Sequence, residues 1–221
     1  MPKITSVEPQ KTLRLRSGRR FNVYLDDTFA FGADEDLVVE HRLIVGKILE
    51  QEQVERLLFE SEVGKLMERI YRLFNIRQRS EKEVRDYFRK LSFKRKEKGE
   101  KISSFIVDTV VQLLKRKGMI NDLEFAKAWV ESRKKKKGPR VLKQELFQKG
   151  IDREIIEEVI SGQVAGYSGQ EIAEGLLEKK MRVWKNLPRL EFKKKAYEFL
   201  TRRGFEYEVI KEVIEKLMEK M

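Results

Sequence analysis

Two periodicities divide the chain. Over the first thirty residues apolar and polar positions alternate, Leu13 and Leu15 with Arg14 and Arg16, then Phe21, Val23 and Leu25 with Asn22 and Tyr24. A repeat of two puts alternate side chains on one face, so these segments are predicted strands, with Ser17-Gly18-Arg19 as the turn of a hairpin. Asp26-Asp27-Thr28 is a second turn signal, after which Phe29 and Phe31 continue on one face as a third strand, and Ile4 to Val7 supplies a fourth. A small sheet by itself leaves its apolar face in water, so the segment Leu37 to Leu49 or the helix after it is expected to cover it.

After about residue 52 the period becomes 3.6. The apolar stripes are Val63, Leu66, Met67, Ile70, Tyr71 and Phe74; Val84, Tyr87, Phe88 and Leu91; Ile102, Phe105, Ile106, Val110, Leu113 and Leu114; Leu123, Phe125, Ala126, Trp129 and Val130; and a weaker set of Val141, Leu142, Glu145, Leu146 and Phe147. Ile155 to Ile160 follows, then Gln170 to Trp184, Leu190 to Leu200, and Val209 to Met218. These are nine predicted helices, grouped in three triplets. Ser80-Glu81-Lys82-Glu83 has the form of a capping box, and Asp152 before Ile155 is a second N-cap signal.

The helical part repeats. Placing Gly150 over Gly204, an offset of 54, brings Leu146 over Leu200, Lys149 over Arg203, Ile151 over Phe205, Glu154 over Glu208, Ile155-Ile156 over Val209-Ile210 and Val159-Ile160 over Val213-Ile214. So many matches at one offset indicate internal duplication rather than shared helical composition. Leu114-Lys115-Arg116-Lys117-Gly118-Met119 has the same helix-end form and suggests a further copy. Glycine at such a place stops a helix because the residue there usually needs positive φ, and the cations before it meet the negative helix end. The expected fold class is mainly α: tandem three-helix repeats in an elongated curved array, preceded by a small β-hairpin or meander. The expected domains are residues 1–60, β-rich, then repeats at 61–120, 121–162 and 163–221.

Composition narrows the chemistry. There are no cysteines and one histidine, which removes disulfides, iron–sulfur clusters, thiol nucleophiles and cysteine-based zinc sites. Gly46-Lys47 is not a phosphate loop, since His41 stands where that motif needs glycine and Ile48 where it needs serine or threonine. Asp34, Glu35 and Asp36 are adjacent rather than spaced for one helical face, which reads as a solvated loop. Nothing singles out a catalytic pair, so no enzyme, cofactor or metal is expected. No apolar run approaches a membrane span and the first residues lack a signal-peptide core, so a cytoplasmic protein, a monomer away from membranes, is expected.

Charge then points to partners. The chain carries 49 basic and 37 acidic side chains, a formal net charge of +12. Residues 1–60 hold nine basic against eleven acidic ones, so the excess lies in the helical part. It is gathered in runs: Arg133-Lys134-Lys135-Lys136-Lys137-Gly138-Pro139-Arg140 at a helix end that the Gly-Pro pair cannot continue, Phe93 to Lys98, Lys193-Lys194-Lys195, and Arg202-Arg203. Such runs are solvated surface unless they line up, in which case they suit phosphates or the acidic ridges of a protein filament. Tyr71, Phe88, Phe105, Trp129, Phe147 and Phe199 fall on apolar stripes and are expected in the core rather than as base-stacking platforms.

Arg79-Ser80-Glu81-Lys82-Glu83-Val84, Gly118 to Ala126, Trp129-Val130-Glu131-Ser132-Arg133, and Gly138-Pro139-Arg140-Val141-Leu142 with Leu146 to Ile151 together resemble the regulatory protein RecX family, over about residues 60–215. The β-rich leader resembles the N-terminal extension of some members. The resemblance implies three tandem three-helix repeats that bind the RecA recombinase filament in its helical groove and inhibit strand exchange, ATP hydrolysis and co-protease activity, without catalysis. The expected contact residues are Arg133, Lys134, Lys135, Lys136, Lys137 and Arg140, with Lys143, Lys149, Lys193, Lys194, Arg202 and Arg203 as secondary ones. The competing reading is a stand-alone nucleic-acid-binding module for single- or double-stranded DNA, which the charge also permits.

Overall fold

The computed structural model describes residues 1–10, 19–96, 102–164, 169–184 and 186–219. The predicted strand at Leu13 and Leu15, with most of its turn, lies outside the described residues. Residues 1–79 and 84–120 make one compact unit, and residues 80–83 with 121–221 a second.

In the first unit, β1 (Ile4–Pro9), β2 (Arg20–Leu25) and β3 (Thr28–Asp34) form an antiparallel sheet in that order. Asp26 and Asp27 both take positive φ, 45° and 62°, the backbone of a tight two-residue hairpin whose twist matches the strands, with Leu25 opposite Thr28. The outer edge of β1 is not left open. Ile4 N donates to Lys47 O at 2.8 Å and Gly46 N to Ile4 O at 2.8 Å.

A short helix, α1 (Glu35–Glu40), follows, its N-terminus capped by Asp34, which accepts from Leu37 N at 2.9 Å. The long α2 (Gln51–Phe74) then serves two cores. Leu57 joins Ile4, Val23, Phe31, Ala33, Leu37, Leu43 and Leu49 over the sheet, so the loop segment and the helix both cover it. One to four turns on, Val63, Leu66, Met67 and Ile70 pack with Val84 and Phe88 of α3 (Glu81–Lys96) and Val110, Val111 and Leu114 of α4 (Ser104–Arg116). Residue 60 therefore lies inside a continuous helix. Ser61 Oγ donates to Gly32 O at 2.6 Å and Arg20 pairs with Glu68, fastening sheet to helix. His41 and Arg56 both bond Glu60. Burial pushes the Glu60 carboxyl up, but the hydrogen bonds and charges of Arg56 and His41 outweigh it and hold it below the ordinary glutamate value.

The second unit holds α5 (Asp122–Glu131), α6 (Pro139–Gln148) and α7 (Arg153–Val164), then α8 (Gly169–Trp184), α9 (Arg189–Arg202) and α10 (Tyr207–Glu219). The offset of 54 is visible in the packing. Leu142 and Ala196, Leu146 and Leu200, Ile151 and Phe205, Ile156 and Ile210, Val159 and Val213, and Ile160 and Ile214 are all buried. Gly150 and Gly204 end the middle helices with φ of 76° and 82°, and the next residue's N–H returns to Leu146 O at 3.1 Å and Leu200 O at 3.3 Å. Gly118 makes the same turn, with Met119 N to Leu114 O at 2.9 Å, but it closes α4, the third helix of its triplet. The signature there is helix punctuation and not a further copy of the repeated junction.

One other expectation needs correction. Phe105 and Phe147 are 68% and 72% exposed, each at the margin of its stripe, although the Phe105 ring still lies 5.4 Å from that of Phe59 on α2. At the predicted capping box, Ser80 Oγ accepts from Glu83 N at 3.3 Å as expected, and the Glu83 carboxylate also pairs with Lys149 at 2.6 Å. Asp152 caps α7, accepting from Glu154 N at 2.9 Å.

Candidate partner-binding surface

Residues 132–138 leave α5 as a run of turns and enter α6 at Pro139, whose fixed φ suits the first helical position. The run is pinned by the α9–α10 turn. Gly138 N donates to Arg203 O at 2.7 Å, Arg140 N to Gly204 O at 3.2 Å, and Arg203 Nη1 to Lys136 O at 2.7 Å. The approach is so close that a Cβ on Gly138 would fall 2.3 Å from Gly204 O, and one on Gly204 2.5 Å from Val141 N. The N–H groups of Gly138 and Arg140 at the start of α6 are thus taken by carbonyls, and Pro139 has none to offer. An analogous contact inside the second unit ties residues 80–83 to the α6–α7 turn, where Ser80 Oγ donates to Lys149 O at 2.7 Å and Lys82 Nζ to Gln148 O at 2.9 Å.

This junction brings two of the sequence-predicted clusters together, residues 133–140 and Arg202-Arg203. Their members are not equivalent. Lys135, Lys136 and Arg140 are exposed and make no ion pair among the described residues. Lys134 is only 8% exposed and pairs with Glu131 at 2.5 Å. Arg133 and Lys137 both turn to Glu145. Arg202 is exposed, and Arg203 lies over the Phe199 ring at 4.6 Å. Among the secondary candidates, Lys143 pairs with Glu157 at 2.6 Å, and Lys149 pairs with Glu83 while sitting 4.9 Å from the Trp129 ring. Lys193 and Lys194 are exposed on α9.

The residue that sequence reasoning passed over is Glu145. It stood in the weak fifth stripe as an acid among apolar positions, and that interruption was the available signal. Trp129 is its partner: Nε1 donates to Glu145 Oε2 at 3.0 Å, and the ring stacks on Phe125 at 5.5 Å with the Arg133 guanidinium 3.5 Å from its centre. Trp129 is thus half-buried and engaged by cations. Among the described residues no group of three or more His, Asp or Glu could hold a metal, and no helix is long and apolar enough to cross a membrane.

Fold and surface define a tandem three-helix-repeat protein whose cations gather at inter-helix turns. Models of the RecX N-terminal domain, the second RecX three-helix domain and the third match residues 2–50, 121–160 and 168–214. The regulatory protein RecX of Bacillus velezensis is 33% identical over 220 residues, 98% of this chain and 78% of that protein. That of a Listeria monocytogenes serotype 4b strain is 34% identical over 160 residues, 72% of this chain and 55% of that one. A crystal structure of regulatory protein RecX superimposes with a TM-score of 0.67 and 25% identity, covering 96% of this chain and 98% of the other. The chain belongs to the regulatory protein RecX family.

Proposed function

We propose that this chain is a non-enzymatic, monomeric regulator that binds the RecA recombinase nucleoprotein filament in the cytoplasm and inhibits its recombinase, ATPase and co-protease activities, acting in DNA recombination, repair and the SOS response. The observation that carries this reading is membership of the RecX family across nearly the whole chain, 98% of it against the Bacillus relative. The fixed junction that sets Lys135, Lys136 and Arg140 beside Arg202 supports it, because several weak contacts held at fixed spacing raise one another's effective concentration. A protein bound at several points of a filament opposes any subunit movement that ATP turnover requires.

The test is the ATPase rate of the recombinase on single-stranded DNA, titrated with this protein. The pairings on the page choose the variant: glutamate at Lys134 or Lys137 would face Glu131 or Glu145 and disturb the turn itself, whereas Lys135, Lys136 and Arg140 point into solvent. The triple variant K135E/K136E/R140E is expected to weaken inhibition at least tenfold, about 1.4 kcal/mol or more, with helical circular dichroism unchanged. Full inhibition by that variant removes the turn from the mechanism. The second reading, a stand-alone nucleic-acid-binding module, is favoured by the net charge of +12. It requires DNA binding without recombinase, falling steeply with salt, and no effect on ATPase beyond competition for DNA.

A further inference from the structure

At the α5–α6 turn three donors converge on one oxyanion that the chain itself supplies. Trp129 Nε1 donates to Glu145 Oε2 at 3.0 Å, Arg133 Nε lies 3.6 Å from the same oxygen, and Lys137 Nζ pairs with Oε1. Indole N–H, guanidinium and ammonium donate and do not accept, so together they suit only an anion. The donors are also held by contacts other than Glu145. Arg133 stacks on the Trp129 ring, the ring stacks on Phe125, and the turn is anchored through Gly138 to Arg203. Solvent reaches the cluster: the side chains of Arg133, Lys137 and Glu145 are 34%, 35% and 21% exposed.

We infer that Glu145 is a built-in competitor, filling an anion seat made by Trp129, Arg133 and Lys137 that otherwise takes a backbone phosphate of single-stranded nucleic acid. Phosphate fits better than a lone carboxylate from outside, because Lys135, Lys136 and Arg140 flank the seat unpaired, and a chain of evenly spaced anions engages seat and flanks together. By occupying the seat, Glu145 removes two cations from the turn's outward charge and lowers its affinity for nucleic acid at large. The third triplet shows the scaffold without this device. Phe199 stands at the offset of 54 from Glu145, and Arg203 lies over its ring with no carboxylate in the group. The inference rests on the reading of the α5–α6 turn as a contact surface, and its test omits the recombinase, so failure of either reading is seen separately.

The experiment is a titration of labelled oligothymidylate with the full chain at several salt concentrations. Glu145→Gln keeps the size and the acceptor for Trp129 but removes the charge. Freeing two cations adds up to two phosphate contacts, so the slope of log K against log salt is expected to steepen by about 1.4, with affinity on the order of tenfold tighter near 0.1 M salt. Glu157→Gln, which frees only the exposed Lys143, is expected to give at most half that steepening, and adding Lys137→Gln to the Glu145→Gln chain to take back about 0.7. Equal slopes for the parent and Glu145→Gln, or equal steepening by Glu145→Gln and Glu157→Gln, overturn the inference. Should Glu145→Gln fail to fold, single variants decide: Lys135→Gln is expected to flatten the slope by about 0.7 and Lys137→Gln by less than half as much, and equal flattening overturns it. If Glu145→Gln leaves oligothymidylate binding unchanged yet alters recombinase inhibition, the seat serves a protein carboxylate and the phosphate assignment falls.

Discussion

The second and third triplets are built on one plan and differ where they meet the outside. Six buried pairs at the offset of 54 carry the same burden in both, and the middle helix of each ends on a glycine at positive φ. Outside that frame the two part company. Glu145 collects Trp129, Arg133 and Lys137, whereas its counterpart Phe199 packs edge-on against Trp184 at 5.9 Å and carries Arg203 and Lys180 over its face. The core therefore fixes the repeat, and the margin of the middle helix sets the electrostatic character of each copy.

That comparison breaks most readily at the glycines. Gly204→Ala adds a Cβ at 2.5 Å from Val141 N on a backbone at φ 82°, and is expected to cost about 4 kcal/mol, from left-handed strain and forced separation of two backbones. Gly118→Ala has the strain, φ 68°, but open space around it, and about 1 kcal/mol is expected. Urea unfolding of both variants measures the difference, and equal losses would mean that the junction yields freely.

Next in size are the matched leucines. Leu146→Ala and Leu200→Ala each empty a fully buried site and are expected to cost about 3 kcal/mol apiece, read by the fluorescence of Trp129 for one triplet and Trp184 for the other in single-tryptophan backgrounds. A loss confined to one of them would show that the copies have diverged in their cores as well. A smaller effect sharpens the contrast at the margins. Trp129→Phe removes the N–H bonded to Glu145 and, with one ring of the indole, part of the stack on Phe125 and under Arg133; about 2 kcal/mol is expected, and a loss as large as that of the leucines would make the acidic hub part of the fold rather than of the surface.

Much of this was legible because its causes are local. Gly150 and Gly204 announce themselves by the need for positive φ after a basic turn of helix, and the 54-residue register follows from them. The Asp26-Asp27 hairpin and the Asp152 cap are likewise decided within three residues. Phe105 and Phe147 misled because stripe membership gives an angle around a helix and not how much of the side chain is covered at that angle. The basic turn was half legible: Lys134 with Glu131 is an ordinary spacing of three, but Lys137 and Arg133 find Glu145 across a chain reversal that composition cannot register. The pairing of Glu83 with Lys149, 66 residues away, was hidden for the same reason.

The contact of Gly138 with Gly204 has one more consequence. Main chain rests on main chain there, so the distance separating the two basic turns is set by atoms common to every amino acid. Substitutions elsewhere on either turn can retune charge, aromatic content or partner preference while that distance stays as it is, which makes the joint a ruler that survives drift in everything it measures against.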